Sequence, residues 1–414
     1  MKSVEQTAPR SVEASEKTDA ASSLRSSLSL VDIGSLPVIL GLIVIAIIFQ
    51  IANPNFLSPL NLTNLMVQIS AVGTMSVGIV LVLLIGEIDL SVGAVSGFCA
   101  SIMAVLSVKN NVPPPLAIGA GVLTGAAIGL LQGFWFAKLH VPSFVVTLAG
   151  FLGWQGALLY ALGSTGTINL NDALIVGLAN YRLPVWLGWL LGILFVGLYA
   201  FGIIQNRRQR AHAGMRVDSL TMMFGRVAVM AVGVLAAIAL MSVNRSFTDV
   251  PIQGVPSAVL IFIGFIVLFD FITKRTQFGR YVFAVGGNAE AARRAGINVE
   301  RIRIVVFVLG STLAACGGIL AGSRLLAVNQ SSGSGDILLN SIAAAVIGGT
   351  SLFGGRGSTW AALLGALVIG SISNGMDLLA LSSSIKFMVT GAVLLLAVTL
   401  DAYARSRREA SGRS

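Results

Sequence analysis

Charge is what this sequence has least of. Only 11% of its 414 residues are Asp, Glu, Lys or Arg, under half the ~25% of an ordinary soluble domain. That is too little to coat two or three globular domains of this total length. Cysteine is almost missing as well. Cys99 and Cys316 each sit inside an apolar run, which excludes a disulfide framework and Cys-based zinc spacing. The only two histidines, His140 and His212, are not spaced to share a metal, so no metal ligand is expected. No Ser-His-Asp or Cys-His arrangement is visible; no catalytic residue is assigned and the chain is not expected to be an enzyme. None of the lysines (Lys2, Lys17, Lys109, Lys138, Lys274, Lys386) follows a glycine, which excludes a G-x-x-x-x-G-K-[ST] phosphate loop. The net charge of +10 is spread between apolar runs and lines no single face, so no nucleic-acid partner is expected.

What is present is apolar. Hydrophobic residues make up 55% of the chain and 47 glycines add to them, against ~45–50% apolar in total for soluble domains. The lipid bilayer is therefore the expected surrounding, and the expected fold class is an all-α polytopic membrane protein. Uncharged stretches of roughly 17–25 residues, the length a helix needs to cross ~30 Å of hydrocarbon, recur twelve times. The expected spans are 36–52, 64–85, 90–108, 115–137, 143–163, 184–204, 227–243, 255–273, 304–322, 336–353, 358–375 and 383–400. Prolines 54, 59, 113–115, 142, 184, 251 and 256 fall between these runs or at their edges, where a missing N–H is least disruptive. Residues 1–32 lack apolar periodicity and read as a disordered tail. No cleaved signal peptide is expected. The organisation is thus a tail (1–32), a transmembrane domain (33–402) holding a long polar loop at 274–303, and a basic tail (403–414).

Basic residues orient the spans, since Lys and Arg gather on the cytoplasmic side. With both termini inside, 22 of the 27 lie in the tails, at Lys138 and Arg356, and in the loops 205–226 and 274–303; the other 5 are Lys109, Arg182, Arg245, Arg324 and Lys386.

The loop 274–303 contains a short helix with legible ends. Asn288 can cap it, Glu290 lies in its first turn, Arg293 and Arg294 lie in its last, and Gly296 can take the left-handed position beyond it. Ala289, Ala292 and Ala295 would form a small-residue face open to a close approach, flanked by arginines. A docking helix and a loop that merely fixes topology both fit this composition.

Glu87 and Asp89, in IGEIDLSVG at the inner end of the second span, are the sharpest charged feature near membrane depth. They can serve as a proton relay or polar-substrate contact. Alternatively Asp89, two residues before Ser91, can cap a helix start while Glu87 faces water. Ser143 and Thr147 share one helical face beside Phe144, Phe151 and Trp154, where hydroxyls and rings could pass a neutral sugar; helix back-bonding is the plain alternative. Gln68, Gln155, Asn340, Asn374 and Asp377 are further candidates for a polar lining. Gly348, Gly349, Gly354, Gly355 and Gly357 suit close packing or a buried turn. IGEIDLSVG (85–93) and IGGTSLFGG (347–355) share Ile, Gly, Leu and Gly at equal offsets, a faint internal repeat.

The run from Glu290 through Ala291, Ala292, Arg293, Arg294 and Ala295 to Gly296 has the EAA-x-x-x-G form and resembles the cytoplasmic loop of ABC-transporter permease subunits, though no Leu-Pro follows. LIGEIDLSVGAVSGF (84–98), VPSFVVTLAGF (141–151), FGRYVFAVGGNAEAARRAGI (278–297) and AAVIGGTSLFGGRGS (344–358) are similar, in order, to the ribose, arabinose and xylose type of sugar permease. The likeness covers about 36–402, and the added basic loop and spans near 190–245 point to the xylose type. The resemblance implies a pentose substrate, two permease copies forming the translocation path, and a periplasmic sugar-binding protein. It also implies an ABC ATPase subunit that engages Glu290 to Gly296, with ATP hydrolysed there and no cofactor in this chain. The implied location is the bacterial inner membrane, and the candidate path residues are Glu87, Asp89, Ser91, Ser143, Thr147 and Asn374. A proton-coupled secondary sugar transporter using Glu87 and Asp89 is the alternative.

Overall fold

The computed structural model describes residues 36–410 except Arg216, Asp218 and Phe247. The expected tail 1–32 and residues 411–414 lie outside the described residues. The helices are α1 Leu36–Ala52, α2 Pro59–Leu84, α3 Val92–Ala104, α4 Pro114–Lys138, α5 Ser143–Leu162, α6 Ala173–Asn180, α7 Val185–His212, α8 Leu220–Ser242, α9 Ser257–Arg275, α10 Gln277–Gly287, α11 Ala289–Arg294, α12 Val299–Leu325, α13 Gly335–Ile347, α14 Trp360–Leu378 and α15 Ser383–Ala410. Two short strands, β1 Thr167–Asn169 and β2 Ala327–Asn329, pair antiparallel with Ile168 opposite Val328. An apolar helix stands at each of the twelve expected places. Nine of the described helices, counting α3 with its π-turn to Lys109, are long and apolar enough to cross a membrane.

The expected boundaries give way where the backbone finds other partners. The span expected at 336–353 ends at Ile347, so α13 has 13 residues and is about 20 Å long, short of the ~30 Å hydrocarbon. Positive φ at Gly349, Gly354 and Gly355 turns the chain out of the helix there, and Ser351 N donates to Arg356 O at 3.0 Å to close the turn. Most of the loop expected at 205–226 is helix, because α7 runs on to His212 and α8 begins at Leu220. The basic tail expected from 403 continues α15 as far as Ala410. The connection after α5 is built, not loose: Asp172 caps α6 by accepting from Leu174 N and Ile175 N.

The chain forms two compact units. In the smaller, Trp189–Ala239, α7 and α8 run antiparallel; a Cβ on Gly192 would lie 2.0 Å from Ile238 Cδ1, so the helices touch closely at that point. In the larger, Val38–Gly188 with Leu240–Ser414, α12 is the central helix, packed on α2, α3 and α4. Lipid tails give no hydrophobic drive between apolar helices, so close van der Waals packing must hold them together. The means is visible on α4, where Gly121, Gly125, Gly129 and Gly133 recur every four residues. A Cβ on Gly125 would meet Ala315 Cβ at 2.7 Å and one on Gly129 would meet Phe307 O at 2.4 Å.

Contacts between helix ends sort the larger unit's connections into two sets. At one, here the link end, Gly355 N donates to Leu84 O at 2.9 Å and Lys138 pairs with Glu300 at 2.5 Å. At the other, the strand end, β1 meets β2, Lys109 Nζ donates to Leu162 O at 2.9 Å and Lys386 pairs with Asp377. This alternation is what successive crossings require.

Candidate functional site

The link end gathers the acidic pair and the start of α12. Residues 85–91 leave α2 because Gly86 takes φ +77°, and the turn swings Glu87 toward α5 and α12. Glu87 Oε2 accepts from Ser143 Oγ at 2.6 Å, and Arg303 Nη2 donates to Oε1 at 3.2 Å. The Arg303 guanidinium also lies over the Phe136 ring, 4.7 Å from its centroid, an arrangement that gains from the ring quadrupole. Three elements are therefore tied at one carboxylate. Burial pushes the Glu87 carboxyl above its usual range, against the Ser143 hydrogen bond and the Arg303 charge, which both favour the ionised form. The expectation that Glu87 faces water is corrected: its side chain is only 17% exposed.

Asp89 is buried more deeply, at 3% exposure. Its Oδ1 accepts from Ser91 N at 2.8 Å and Ser91 Oγ at 2.6 Å, while Oδ2 is buried without a partner. Asp89 does not occupy the cap position itself; Ser91 does, and makes no side-chain cap bond. Instead Asp89 organises the turn before α3 by the short-range side-chain bonding that Asp favours. Burial raises its carboxyl above the usual range, opposed by the Ser91 bonds. Gln132 of α4 joins Ser91 at 3.0 Å, and a Cβ on Gly150 would lie 2.3 Å from Gln132 Nε2.

Of the expected path residues, Glu87, Asp89, Ser91, Ser143 and Thr147 come together here. Ser143 and Thr147 are buried, with Thr147 Oγ1 making long contacts to Phe144 O at 3.4 Å and Ile88 O at 3.5 Å. Phe144 beside them is 55% exposed. Asn374 does not join them. It exchanges hydrogen bonds of 2.7 and 3.0 Å with Asn61, at the opposite end of α2, about 35 Å along the helix axis from Leu84. Gln155 Nε2 donates to Gln330 O at 3.2 Å beside the strands, and Trp154 stacks on Phe98 with centroids 5.7 Å apart.

The polar loop at 274–303 folds into α10, α11 and the first turn of α12. Asn288 Oδ1 accepts from Ala291 N at 2.9 Å, capping α11, and Gly296 takes φ +85°. The small-residue face turns the other way from the expectation. Ala292 is buried in the larger unit's core and Ala289 packs against it, whereas Ala295, at the helix end, is exposed with Glu290, Ala291, Arg293 and Arg294. The outward face is charged, because the helix needs its alanines to sit on its own bundle. Glu290 pairs with Arg293 at 2.8 Å and Arg294 at 3.2 Å, exposed contacts that contribute little to stability.

Sequence reading missed the seat of this helix. A Cβ on Gly286, at the end of α10, would lie 1.7 Å from Leu84 O, and one on Gly354 would lie 2.6 Å from Gly286 O and 2.8 Å from Gly86 N. Backbones at 84–86, 286 and 354–355 thus meet where no side chain fits. The adjacent pair Gly286-Gly287 before a capped helix was the available signal. Arg303 was also missed; as the last cation before an apolar run, with an unmatched acid at the same membrane end, it carried a signal.

A family model described as "Branched-chain amino acid transport system / permease component" matches residues 61–398. The xylose transport system permease protein of Haemophilus influenzae is 37% identical over 371 residues, covering 89% of this chain and 96% of that protein. Its counterpart in Escherichia coli (strain K12) is 38% identical over 354 residues, covering 85% and 87%. The ribose import permease protein of Bacillus subtilis (strain 168) is 33% identical over 363 residues, covering 87% and 91%. No solved structure gives a significant match.

Proposed function

This chain belongs to the transport-system permease family whose model it matches, and on that premise we propose that it is the membrane-spanning subunit of a binding-protein-dependent ABC importer carrying a pentose, D-xylose first. It is a multi-pass membrane transport component and not an enzyme. In this reading the protein lies in the bacterial inner membrane with both termini and the link end in the cytoplasm. A periplasmic binding protein delivers sugar at the strand end, two copies form the path, and a separate ATPase subunit hydrolyses ATP. Xylose is favoured over ribose by the higher identity to the xylose transport relatives.

The observation that carries the coupling role is the seat of α10 and α11. A capped helix with an exposed charged face, joined through Gly286 to Leu84 O and through α12 to the Arg303–Glu87 pair, can pass a push from outside the bundle to α2 and α5 without a flexible intermediate. Glu290, Ala291, Ala292, Arg293, Arg294 and Gly296 build that lever, with Ala292 as its inner contact. Around the opposite side of the same knot, Glu87, Asp89, Ser91, Ser143 and Thr147 hold the inner end of the path closed; Asn374 would act at the strand end. A proton relay through Glu87 and Asp89 would need titratable groups leading onward across the membrane, and their hydrogen bonds run to Ser143, to Arg303 and through Ser91 to the amide of Gln132.

Co-expression with the ATPase chain tests the lever. Arg293→Glu with Arg294→Glu reverses the outward charge without touching the seat, so co-purification of the ATPase should fall sharply while membrane abundance holds. Undiminished co-purification would remove α11 from the interface.

A further inference from the structure

The strand end carries a feature that sugar transport leaves unexplained. Arg182, Arg245 and Arg324 line one pocket of about 260 Å³ in the larger unit. They come from three separate places: the turn after α6, the segment after α8, and the last turn of α12. Two of them are held by backbone surroundings. Leu183 N donates to Val255 O at 3.0 Å and Ser257 N to Tyr181 O at 2.9 Å, which fixes the chain on both sides of Arg182. Arg245 is 7% exposed, and its guanidinium is anchored on Met241 O and, at 3.4 Å, Gly254 O. Among the described residues, none of the three forms an ion pair with a carboxylate; Asp377, whose charge reaches Arg324, is paired with Lys386.

Such a convergence is unfavourable unless an anion answers it. Burial and the neighbouring Arg182 charge both work against the charged form of Arg245, and partly buried cations without a counter-charge are expensive. Among the described residues of the larger unit, the other two basic residues at the strand end are engaged: Lys109 with Leu162 O and Lys386 with Asp377.

The shape of the pocket selects among anions. Leu60, Asn64 and Val67 lie at i, i+4 and i+7, so the pocket follows one face of α2 for about 10 Å from its end into the apolar zone. Guanidinium groups thus stand at the level where the helices end, beside a wall that carries Leu60, Val67 and Ile252 among Thr63, Asn64 and Asn180. Leu60, Asn64 and Arg182 are exposed and leave the pocket open on that side. A soluble anion or a partner's carboxylate would use the arginines and leave Val67 and Ile252 idle. We propose that this pocket binds the phosphate of an anionic phospholipid headgroup, with Arg182, Arg245 and Arg324 on the phosphodiester and Leu60, Val67 and Ile252 against the glycerol and first methylenes. Arginine suits this because its planar fork meets two phosphate oxygens at once.

The test uses the full chain purified in detergent. Its thermal midpoint and its lipid adducts in native mass spectrometry are followed on adding phosphatidylglycerol, phosphatidylcholine of the same acyl chains, or inorganic phosphate at equal phosphorus. Phosphatidylglycerol should raise the midpoint and remain as an adduct, and the other two should do neither. Arg182→Gln with Arg324→Gln should weaken that binding by about tenfold or more, as loss of two charge-assisted contacts requires. Arg356→Gln, at the link end, should bind as wild type. Equal binding by the double variant, or an equal response to inorganic phosphate, overturns the proposal. So does a double variant that binds lipid normally and loses only an acidic protein partner. Should the double variant not fold, the wild-type comparison decides alone, since no preference for phosphatidylglycerol would refute the site.

Discussion

Removing the Arg303 side chain isolates the central tie of the link end. Arg303→Ala deletes a charge-assisted hydrogen bond to Glu87 of 3.2 Å, a class of bond worth about 1.5–3 kcal/mol. It also deletes the guanidinium over Phe136, worth about 0.5–1 kcal/mol when partly exposed. The two side chains are 23% and 17% exposed, so water screens the loss in part and about 2–3 kcal/mol is expected overall. Glu87→Gln keeps an acceptor for Ser143 and should lose about 1 kcal/mol. In a double-mutant cycle the pair should show about 1–2 kcal/mol of coupling, measured from unfolding in SDS-containing mixed micelles. The pH dependence adds an independent sign. Glu87 already holds its proton more tightly in the fold than in the unfolded chain, so its contribution favours the fold at low pH and is lost as pH rises from the unfolded to the folded pKa. Without Arg303 the folded pKa rises further. The Arg303→Ala defect should therefore be largest near neutral pH and shrink on acidification, and Glu87→Gln should abolish that pH dependence. Coupling below about 0.3 kcal/mol, with a defect independent of pH, would refute the tie.

Gly286→Ala should be strongly damaging, because its Cβ would sit 1.7 Å from Leu84 O; overpacking of this kind typically costs about 1–3 kcal/mol, and sugar uptake should fall even where thermal stability is restored by lower temperature. Ala292→Trp and Ala291→Trp should part company: the first enters a buried site and should lower stability, while the second, on the exposed face, should leave stability unchanged and reduce ATPase co-purification. Cysteines introduced in 205–226 and 274–303 should resist impermeant labelling from outside intact cells, as the 22-to-5 basic split requires; labelling of either would reverse the orientation. Asp89→Asn keeps an acceptor for Ser91 and should impair transport through packing, without altering any proton movement; sugar-dependent alkalinisation in wild type that vanishes in the variant would favour proton coupling.

The twelve apolar helices were legible because lipid imposes a length and forbids charge, and both are written in one dimension. The ends of α11 were legible for a similar reason, since Asn288 and Gly296 act through bonds and φ values within a few residues. What lay hidden was contact between distant backbones. The pair Gly286-Gly287 before a capped helix marks the place, but only the proximity of Leu84 O makes Gly286 irreplaceable. The turning of Ala292 inward was likewise unreadable, because an alanine stripe fits its own bundle as well as a partner. The truncation of α13 depended on Gly349, Gly354 and Gly355 adopting positive φ together, and glycines in a membrane chain as often pack as turn. The α4 repeat of Gly121, Gly125, Gly129 and Gly133 was different: its four-residue spacing was there to be read as a helix-packing face. The acidic pair was found but its partners were not, as Ser143 and Arg303 come from 56 and 216 residues away.

Sugar import by the reconstituted complex tests the transport assignment most directly. The chain, its binding protein and its ATPase subunit would be placed in proteoliposomes and ATP hydrolysis and labelled-sugar uptake followed across pentoses and hexoses. D-xylose should raise both, only with the binding protein and ATP present, and dissipating the proton gradient should change neither. Uptake that proceeds without ATP and collapses with the proton gradient would contradict an ABC importer.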